Sequence, residues 1–413
     1  MEKCYMKNFM ITGANFRNKG AQAMLFVTVS ELRQRYPDCE IFFATGEDLN
    51  VDEYQFKTIK YKYRLKQIAL GGFMGIRQLF TSILADLAKI VIRYPEKKGG
   101  YFTLKKMLPQ MDLIIDISGF SLGDQWNRQG QEEYLDNIRL AKKYGVKMVL
   151  MPQSFGPFHY DSDQQALHEE IRELLQYPSV VYAREQEGAK LLKEYYHLKN
   201  VRQSPDLVLQ NKKIDIDKVF VGEPVINIPD DILPDSVAIV PNKKCFQHGE
   251  KETLLSLYQK LIEMLLHSSR EVYLLRHSNE DLSVCEMIKE LFLDNQHVHL
   301  LENDFSCLAF DVVIRKFQFT IVSRFHGAVH SYKNCVPCII LGWAVKYQEL
   351  ASYMNQESYA FDIRTNNIKD AEILKYTAQM MENYQNEKIQ IQKGLAQIQQ
   401  SNCFNILEEV IHG

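Results

Sequence analysis

Short apolar runs alternate along the chain with longer segments in which apolar residues recur every three or four positions. The first run covers residues 8–13, a segment of the second kind covers 20–36, and another apolar run follows at 40–44. Apolar runs of this length predict buried strands, and the longer period predicts helices packed against them. The chain therefore begins with a β-α-β unit.

The same alternation continues through both halves of the chain. In the first half we expect further strands at 112–117, 147–151 and 179–182, and helices at 130–144, 163–176 and 185–195. In the second half we expect strands at 236–240, 271–275, 297–301, 318–322 and 337–341, and helices at 251–268, 280–294, 307–315 and 326–333. Strands that alternate with helices are typical of parallel sheets covered on both faces. The prediction is an α/β fold with two doubly wound, Rossmann-like domains.

A change of composition at residues 211–235 separates the two halves. This stretch holds three prolines and few helical periods, which is typical of a linker. We therefore expect an N-terminal domain at 1–210, a C-terminal domain at 236–367 and a polar helical tail at 368–413. The length of 413 residues fits two domains better than one.

Composition is that of a soluble globular protein, with 46% hydrophobic and 24% charged residues. A net charge of -3 gives no general attraction to nucleic acid. No apolar run is long enough to span a bilayer, and the N-terminus has no signal-peptide pattern. The scattered cysteines predict free thiols, and the C-x-x-C pair Cys335 and Cys338 is interpreted as two small buried hydrophobic residues.

The segment 57–106 is strongly basic, with twelve Lys or Arg residues against two acidic ones. Apolar residues recur at helical spacing between Phe73 and Val91. Two interpretations remain open: an amphipathic helix that lies on an anionic membrane, or a core-facing helix whose solvated face is basic.

Candidate chemistry is concentrated where the strand predicted at 318–322 ends. It is followed by Ser323-Arg324-Phe325-His326-Gly327 and then by a predicted helix. A guanidinium, an imidazole and free backbone N–H groups at a strand end and helix start can together bind an anion. This pattern predicts a site for a phosphate or carboxylate.

The pattern resembles the C-terminal signature of the polysaccharide pyruvyl transferase family. The matching positions are Ser323, Arg324, His326, Pro337 and Lys346, and Phe325 stands where the family usually has Leu. Four further landmarks of the family follow one another in the expected order, namely DLIIDISGFSLGD, MPQSFGPF, VVYAREQEGAKLL and SPDLVL. The resemblance spans roughly residues 8 to 350 and implies a GT-B-like pair of domains that face a cleft.

The resemblance also implies a reaction. The donor would be phosphoenolpyruvate, and the product a sugar of a surface-polysaccharide precursor that carries pyruvate as a ketal. No metal and no cofactor is expected beyond this donor substrate. The family context implies a cytoplasmic enzyme whose glycan acceptor can be lipid-linked, and the basic segment could then contact the anionic membrane peripherally.

Residue roles are assigned from the same resemblance and from side-chain chemistry. Arg324 and Arg184 are expected to grip the donor, because a planar guanidinium binds carboxylate or phosphate in a bidentate way. His326 is the candidate general acid, since imidazole titrates near neutral pH. The expected catalytic residues are thus His326, Arg324 and Arg184, and the further donor-binding residues are His277, Asn242 and Lys346. Pairing of Arg184 with Glu185 or Glu187 remains the structural alternative.

Polar residues at strand ends of the first domain are the candidates for binding the acceptor. They are Asn15, Asn18, Gln22, Asp124, Gln153 and Ser154. The family commonly has an acid where Gln22 stands, so we assign Gln22 to hydroxyl recognition only.

Three rival functions stay open at this point. Gly119-Phe120-Ser121-Leu122-Gly123 fits the nucleophile elbow of a serine hydrolase, with Asp206 and His326 as partners. A GT-B glycosyltransferase that uses a nucleotide sugar is the stronger rival, because one architecture hosts many functions. A binding module without activity is the third. The chain has no P-loop, no complete G-x-G-x-x-G and no zinc-protease motif.

Overall fold

The structure is a computed structural model of the chain. It describes residues 6–70, 101–158, 165–229, 231–364 and 368–413. The fold described below is that of these residues.

The first half of the chain forms a parallel sheet of eight strands, in the order β3-β2-β1-β4-β6-β7-β8, with β5 paired to β6. The strands are β1 (Asn8–Thr12), β2 (Glu40–Thr45), β3 (Lys57–Lys60), β4 (Leu113–Asp116), β5 (Phe120–Leu122), β6 (Lys147–Phe155), β7 (Val180–Ala183) and β8 (Val201–Gln203). Central strands such as β4 and β7 are buried at every position. Burial on both faces explains why these strands are apolar throughout instead of alternating.

Helices connect these strands and cover the sheet. They are α1 (Lys19–Arg35), α2 (Tyr63–Leu70), α3 (Tyr101–Met107), α4 (Arg128–Tyr144), α5 (Gln165–Leu174), α6 (Gln186–Glu194) and α7 (Ile216–Val219). Asn18 caps α1 by accepting a hydrogen bond from the Gly20 amide, and Asn127 caps α4 in the same way from Gly130. Gly145, with φ of 65°, ends α4 in the left-handed conformation that glycine adopts without strain.

The second half forms a parallel sheet of six strands in the order β11-β10-β9-β12-β13-β14. The strands are β9 (Ser236–Val240), β10 (Glu271–Leu275), β11 (Val298–Leu301), β12 (Phe319–Val322), β13 (Cys338–Gly342) and β14 (Ala360–Asp362). The helices are α8 (Cys245–His248), α9 (Lys251–His267), α10 (Leu282–Glu290), α11 (Cys307–Ile314), α12 (Phe325–Lys333), α13 (Val345–Tyr353), α14 (Asp370–Gln400) and α15 (Ile406–His412). The predicted α/β class with two doubly wound sheets is confirmed.

Each sheet has one point where the strand order reverses. In the first sheet the reversal lies between β1 and β4, and in the second it lies between β9 and β12. Loops that leave the carboxyl ends of these strands diverge to opposite sides and open a crevice, which is where ligands bind in open α/β sheets. The fold therefore provides one crevice in each half.

The end of the chain returns to the first half. The Lys147 Nζ donates a hydrogen bond of 2.8 Å to the backbone carbonyl of Val410 in α15, and Arg202 pairs with Glu409 at 3.1 Å. The stretch proposed as a linker contains the short helix α7, which the proline-rich pattern did not predict, and α7 packs against α1.

Most predicted elements agree with the structure to within two residues. Helix α10 ends at Glu290 rather than at 294, because Asp294 and Asn295 favour the turn that follows. Strand β6 continues to Phe155, four residues beyond its predicted end. The short strands β3, β5, β8 and β14 were not predicted.

The basic segment 57–106 is described in part. Residues 57–60 form strand β3 and Lys66 is buried in α2, so neither belongs to an exposed basic helix. The apolar residues at helical spacing between Phe73 and Val91 lie outside the described residues. Within the described part of the chain, no helix is both long and apolar enough to cross a membrane.

Candidate active site

The carboxyl end of β12 is held in place by two side chains. The backbone carbonyl of Ser323 accepts hydrogen bonds from Asn242 Nδ2 at 3.1 Å and from the Tyr347 hydroxyl at 2.9 Å. Asn242 follows β9, on the other side of the strand reversal, and its Oδ1 accepts from the Lys244 amide. Asn242 was expected to bind the donor. In the structure its side chain instead holds the ends of β9 and β12 together.

Arg324 is the first residue after this strand end and occupies the N-cap position of α12. Its guanidinium binds Asp281 at 2.8 and 2.6 Å and also contacts Glu280. Asp281 is fully buried, whereas Glu280 is partly exposed. The hydrogen bond from Arg324 lowers the pKa of Glu280. In this structure, two carboxylates already hold the guanidinium predicted to grip the donor.

His326 projects from the first turn of α12 to the facing domain. Its Nε2 lies 3.6 Å from the Asp206 Oδ2, and this nitrogen is buried without a hydrogen-bond partner. Burial lowers the pKa of His326 to about 3, although the negative charge of Asp206 opposes the shift. The imidazole is therefore neutral at physiological pH in the structure as it stands.

Arg184 is buried where β7 ends, at the carboxyl edge of the first sheet. Its guanidinium donates to Asp206 Oδ2 at 2.6 Å, to Glu185 Oε1 at 3.1 Å and to Ser154 Oγ at 2.6 Å. Burial opposes its charge, but Glu185 and Asp206 outweigh this and raise the pKa of Arg184. The structure thus shows the pairing with Glu185, one of the two partners in the structural alternative, and adds Asp206.

Phe325 joins the two halves at this point. The Arg184 guanidinium lies over the Phe325 ring, with its carbon 4.2 Å from the ring centroid. Cations are attracted to the faces of aromatic rings. An aromatic residue at this position therefore makes a contact that the Leu usual in the family could not make.

Lys346 is the predicted donor cation that remains available. Its Nζ lies between 5.1 and 5.8 Å from the centroids of four aromatic rings, those of Phe120, Phe325, Trp343 and Tyr347. Among the described residues, no carboxylate lies within ion-pair distance of this nitrogen. Burial, reinforced by the positive charges of Arg184, Lys244 and Arg324, lowers the pKa of Lys346 to about 8. Lys346 thus lies near three further cations, two of which, Arg184 and Arg324, are already held by carboxylates.

His277 lies deeper, behind His326. The two imidazole centroids are 6.4 Å apart, and the backbone carbonyl of His277 accepts a hydrogen bond from Lys19 Nζ at 3.0 Å. Burial, helped by the nearby Lys19 ammonium, lowers the pKa of His277 well below its usual value. His277 is buried and neutral, and these contacts place it in the wall of the site.

The three predicted acceptor residues near α1 have structural partners. Asn15 Oδ1 accepts hydrogen bonds from two backbone amides of its own turn, and Asn18 caps α1. Gln22 Oε1 accepts from the Cys307 amide at 2.7 Å, which ties α1 to the start of α11 in the other domain.

The other three acceptor candidates are also dispersed. Ser154 belongs to the Arg184 cluster, where its hydroxyl donates to Glu185 at 2.8 Å. Gln153 is fully buried and donates to the Met151 carbonyl, whereas Asp124 is exposed. The structure brings together His326, Arg184 and Lys346, but it does not gather the six acceptor candidates around one cavity.

Sequence reasoning missed two residues that shape the interface between the domains. Lys19 has a side chain that is only 5% exposed, and it binds Asp304 of the second half at 2.8 Å. Gly20 packs against His326. Neither has a signal in the sequence, because each role depends on a partner more than 250 positions away.

Asp206 was considered only as a partner in the hydrolase alternative, and that alternative is wrong. Ser121 lies within strand β5, not on the sharp strand-to-helix turn that a nucleophile elbow requires. The Asp206 carboxylate binds Arg184 and faces His326 instead. Within the described ranges, no group of three or more His, Cys, Asp and Glu residues is placed to hold a metal ion.

Solved structures with the same architecture are sugar-processing enzymes. A UDP-GlcNAc 2-epimerase from Neisseria meningitidis bound to UDP-GlcNAc matches with a TM-score of 0.54 at 13% identity, over 99% of this chain and 100% of that chain. A glycosyltransferase from Rickettsia africae also gives 0.54, at 11% identity over 99% of both chains. Identity this low shows the fold alone. The fold, with a crevice at each strand reversal, defines a GT-B-like protein.

The sequence specifies the family within that class. The polysaccharide pyruvyl transferase family matches residues 18–344, which is most of the chain, and no curated protein matches significantly. The chain therefore belongs to the polysaccharide pyruvyl transferase family and is an enzyme, a transferase that acts on polysaccharides.

Proposed function

We propose that this enzyme transfers pyruvate from phosphoenolpyruvate to a sugar of a surface-polysaccharide precursor and forms a pyruvate ketal. The observation that carries the proposal is the position of Lys346. It lies near three further cations, at the same crevice as His326, without a carboxylate partner among the described residues. Family membership supplies the reaction class.

The charges of the donor match this cluster. Phosphoenolpyruvate carries a carboxylate and a phosphate, and both must be neutralised before a hydroxyl can approach. Lys346 and Lys244 suit the phosphate as compact cations, while Arg324 can offer N–H groups to the carboxylate once Glu280 moves away. Fixed cations of this kind also stabilise the charge that develops as phosphate leaves.

The reaction proceeds in two additions at one carbon. A sugar hydroxyl adds to the carbon that bears phosphate, and an acid protonates the neighbouring methylene, which becomes the methyl group. The proton of the added hydroxyl passes to the conjugate base of that acid and restores it. Phosphate then departs with the C–O bonding electrons, and the resulting oxocarbenium centre is attacked by the second hydroxyl. That hydroxyl loses its proton to the departing phosphate or to a nearby base, so the overall products are the ketal and phosphate.

His326 is the group we assign as the acid. The donor's negative charge favours the imidazolium form, so its binding should raise the depressed pKa of His326 and draw a proton into the site. Asp206 positions the ring, because its carboxylate is fixed by Arg184 and faces Nε2. Donor binding would thereby generate the imidazolium that protonates the donor's methylene carbon.

The acceptor and the cellular context follow from the same proposal. The acceptor is a glycan precursor, and a lipid-linked precursor would bring the enzyme to the cytoplasmic face of the membrane. The basic composition of residues 57–106 supports peripheral contact with anionic lipid.

A glycosyltransferase that uses a nucleotide sugar is the second candidate, because the fold is shared with enzymes of that kind. Calorimetric titration with phosphoenolpyruvate, beside UDP, GDP and CMP sugars, separates the two. We expect binding of phosphoenolpyruvate alone, with phosphate release when a suitable glycan is added. Binding of a nucleotide sugar alone would overturn the proposal.

Variants localise the donor in the same experiment. Lys346→Met should weaken donor binding by about 100-fold, which removes about 2.7 kcal/mol of ligand-induced stabilisation at a matched ligand concentration. Lys393→Met, on the exposed face of α14, removes a cation remote from the crevice and serves as the matched control. Equal affinity in both variants would show that Lys346 does not contact the donor.

A further inference from the structure

A pocket of about 260 Å³ opens at the strand reversal of the first sheet, where the loops after β1 and β4 diverge. It is separate from the cation cluster, which lies at the reversal of the second sheet. Residues that line it include Thr45, Lys66, Ser118, Ser121, Glu133 and Asn137. Crevices at such reversals are the usual ligand sites of open α/β sheets.

The ionic groups at the base of the pocket already have partners. The Asp116 carboxylate, fully buried beneath the pocket, accepts hydrogen bonds from the Thr12 hydroxyl at 2.7 Å and from Asn137 Nδ2 at 3.2 Å. The Lys66 Nζ donates to the backbone carbonyl of Glu133 and to Asn137 Oδ1. The Lys66 ammonium is also attracted by the carboxylates of Asp136, Glu133 and Asp116, so an incoming anion would meet no excess of positive charge and the pocket favours a neutral ligand.

The lining offers the contacts that a neutral sugar ring uses. The Ser121 hydroxyl can donate or accept, and the Glu133 carboxylate accepts. The Thr45 hydroxyl, which accepts from the Glu47 amide, can still donate, and the Ser118 hydroxyl, which binds Asp116, can still accept. The Tyr61 ring lines the same pocket and provides an apolar surface for the C–H face of a pyranose. Dense, short polar groups beside the rings of Tyr61 and Tyr134 suit a polyhydroxylated ligand better than an apolar one.

Helix α1 packs against both the wall of the pocket and the proposed reaction centre. Next to the pocket residue Ser118, Gly119 is so close to Met24 that a Cβ on this glycine would lie 3.1 Å from the methionine methyl. Met24 follows Gly20 by one helical turn, about 6 Å along the axis. Gly20 in turn contacts the imidazole of His326. The pocket is near the acid but not at it.

We infer that this pocket binds a neutral sugar unit of the glycan acceptor, next to the unit that receives pyruvate. The inference rests on the proposed function for its assumption that the acceptor is a glycan. The acceptor-binding residues in this inference are those that line the pocket, and they differ from the six polar residues expected from the sequence.

Saturation-transfer NMR tests the inference without donor. The probes are the methyl pyranosides of glucose, galactose, mannose and N-acetylglucosamine, together with lactose. Ser121→Trp fills the pocket, Glu133→Gln removes one acceptor charge while keeping its shape, and Ser401→Trp adds the same bulk at an exposed site on the tail. Thermal unfolding verifies that each variant is folded.

We expect at least one glycoside to receive saturation from the wild type and from Ser401→Trp, with a signal about tenfold lower in Ser121→Trp and reduced in Glu133→Gln. Equal signals in all four proteins, or no signal with any probe, would overturn the inference. If Ser121→Trp does not fold, Glu133→Gln decides. Because no donor is present, failure to bind phosphoenolpyruvate would overturn the proposed function and leave this result standing.

Discussion

His326 of the second domain packs directly against Gly20 of the first. A Cβ atom placed on Gly20 would lie 2.2 Å from the imidazole Cγ and 2.4 Å from Nδ1, closer than any non-bonded contact allows. Gly20 stands in the first turn of α1 with ordinary helical geometry, so its role is the space it leaves and not an unusual backbone conformation. This close approach fixes the position of the proposed acid relative to Asp206.

Gly20→Ala should therefore reduce turnover while the protein stays folded. Alanine favours helix formation, so α1 itself should not be weakened, but the imidazole must move. A displacement of about 1 Å at a reacting group can cost about 100-fold in rate. Steady-state kinetics measures the loss, which should fall on kcat more than on the KM for donor.

Gly222→Ala is the matched control, because a Cβ there would meet no atom within 4 Å. It should have wild-type kinetics. Wild-type turnover in Gly20→Ala would show that His326 does not need its observed position.

Stability should fall as the solution is acidified from about pH 7 to about pH 5. The pKa of His326 is about 3 in the folded protein and 6.5 in the unfolded chain. Below pH 6.5 the unfolded chain therefore binds a proton that the folded protein does not. Stability is then lost progressively as pH falls from the unfolded pKa toward the folded one. At about pH 5 this one group should cost about 2 kcal/mol. Denaturant titrations at several pH values measure it.

His326→Asn removes the titrating ring and should flatten this part of the profile. The remaining slope should reflect His277, whose pKa is also lowered by burial. An unchanged slope in His326→Asn would contradict the burial that the structure shows for this imidazole.

Lys346 should set the alkaline limit of donor binding. Its pKa is about 8, so the ammonium is present below that pH and is lost as pH rises through it. The donor's anions would shift this value upward once bound, so the free-enzyme pKa should appear in kcat/KM for phosphoenolpyruvate. We expect that parameter to decline above about pH 8. Lys346→Arg, which stays charged, should extend the plateau to higher pH if it retains activity.

Glu280 should restrain Arg324. Glu280→Gln removes one of the two carboxylates that hold the guanidinium, while Asp281 keeps its bidentate contact. If Arg324 binds the donor carboxylate, this change should strengthen donor affinity by about threefold to tenfold, since a competing anion has gone. Calorimetry measures the affinity, and Glu382→Gln, at an exposed position of α14, is the control. Unchanged affinity in Glu280→Gln would assign Arg324 a structural role with Asp281.

The sequence by itself determined the central strands, most helices and the class of fold. Runs such as VVYA and SVAIV are apolar at nearly every position because both faces of a parallel sheet are covered, and that pattern is local. The same locality placed Arg324 and His326 at a strand end. The local apolar pattern did not predict β3, β5, β8 and β14. These short strands carry polar or partly exposed residues, and they are strands only because a neighbouring strand supplies their hydrogen bonds.

Only the tertiary structure decided what each site residue touches. Arg184 and Arg324 both looked available for an anion, yet each binds carboxylates at separations of 1 to 44 positions. Lys346 looked ambiguous and proved to have no carboxylate within ion-pair distance among the described residues. Gly20 became important through a contact across the domain interface. Charge balance and close packing are properties of groups that meet in space, and a linear sequence does not specify which groups meet.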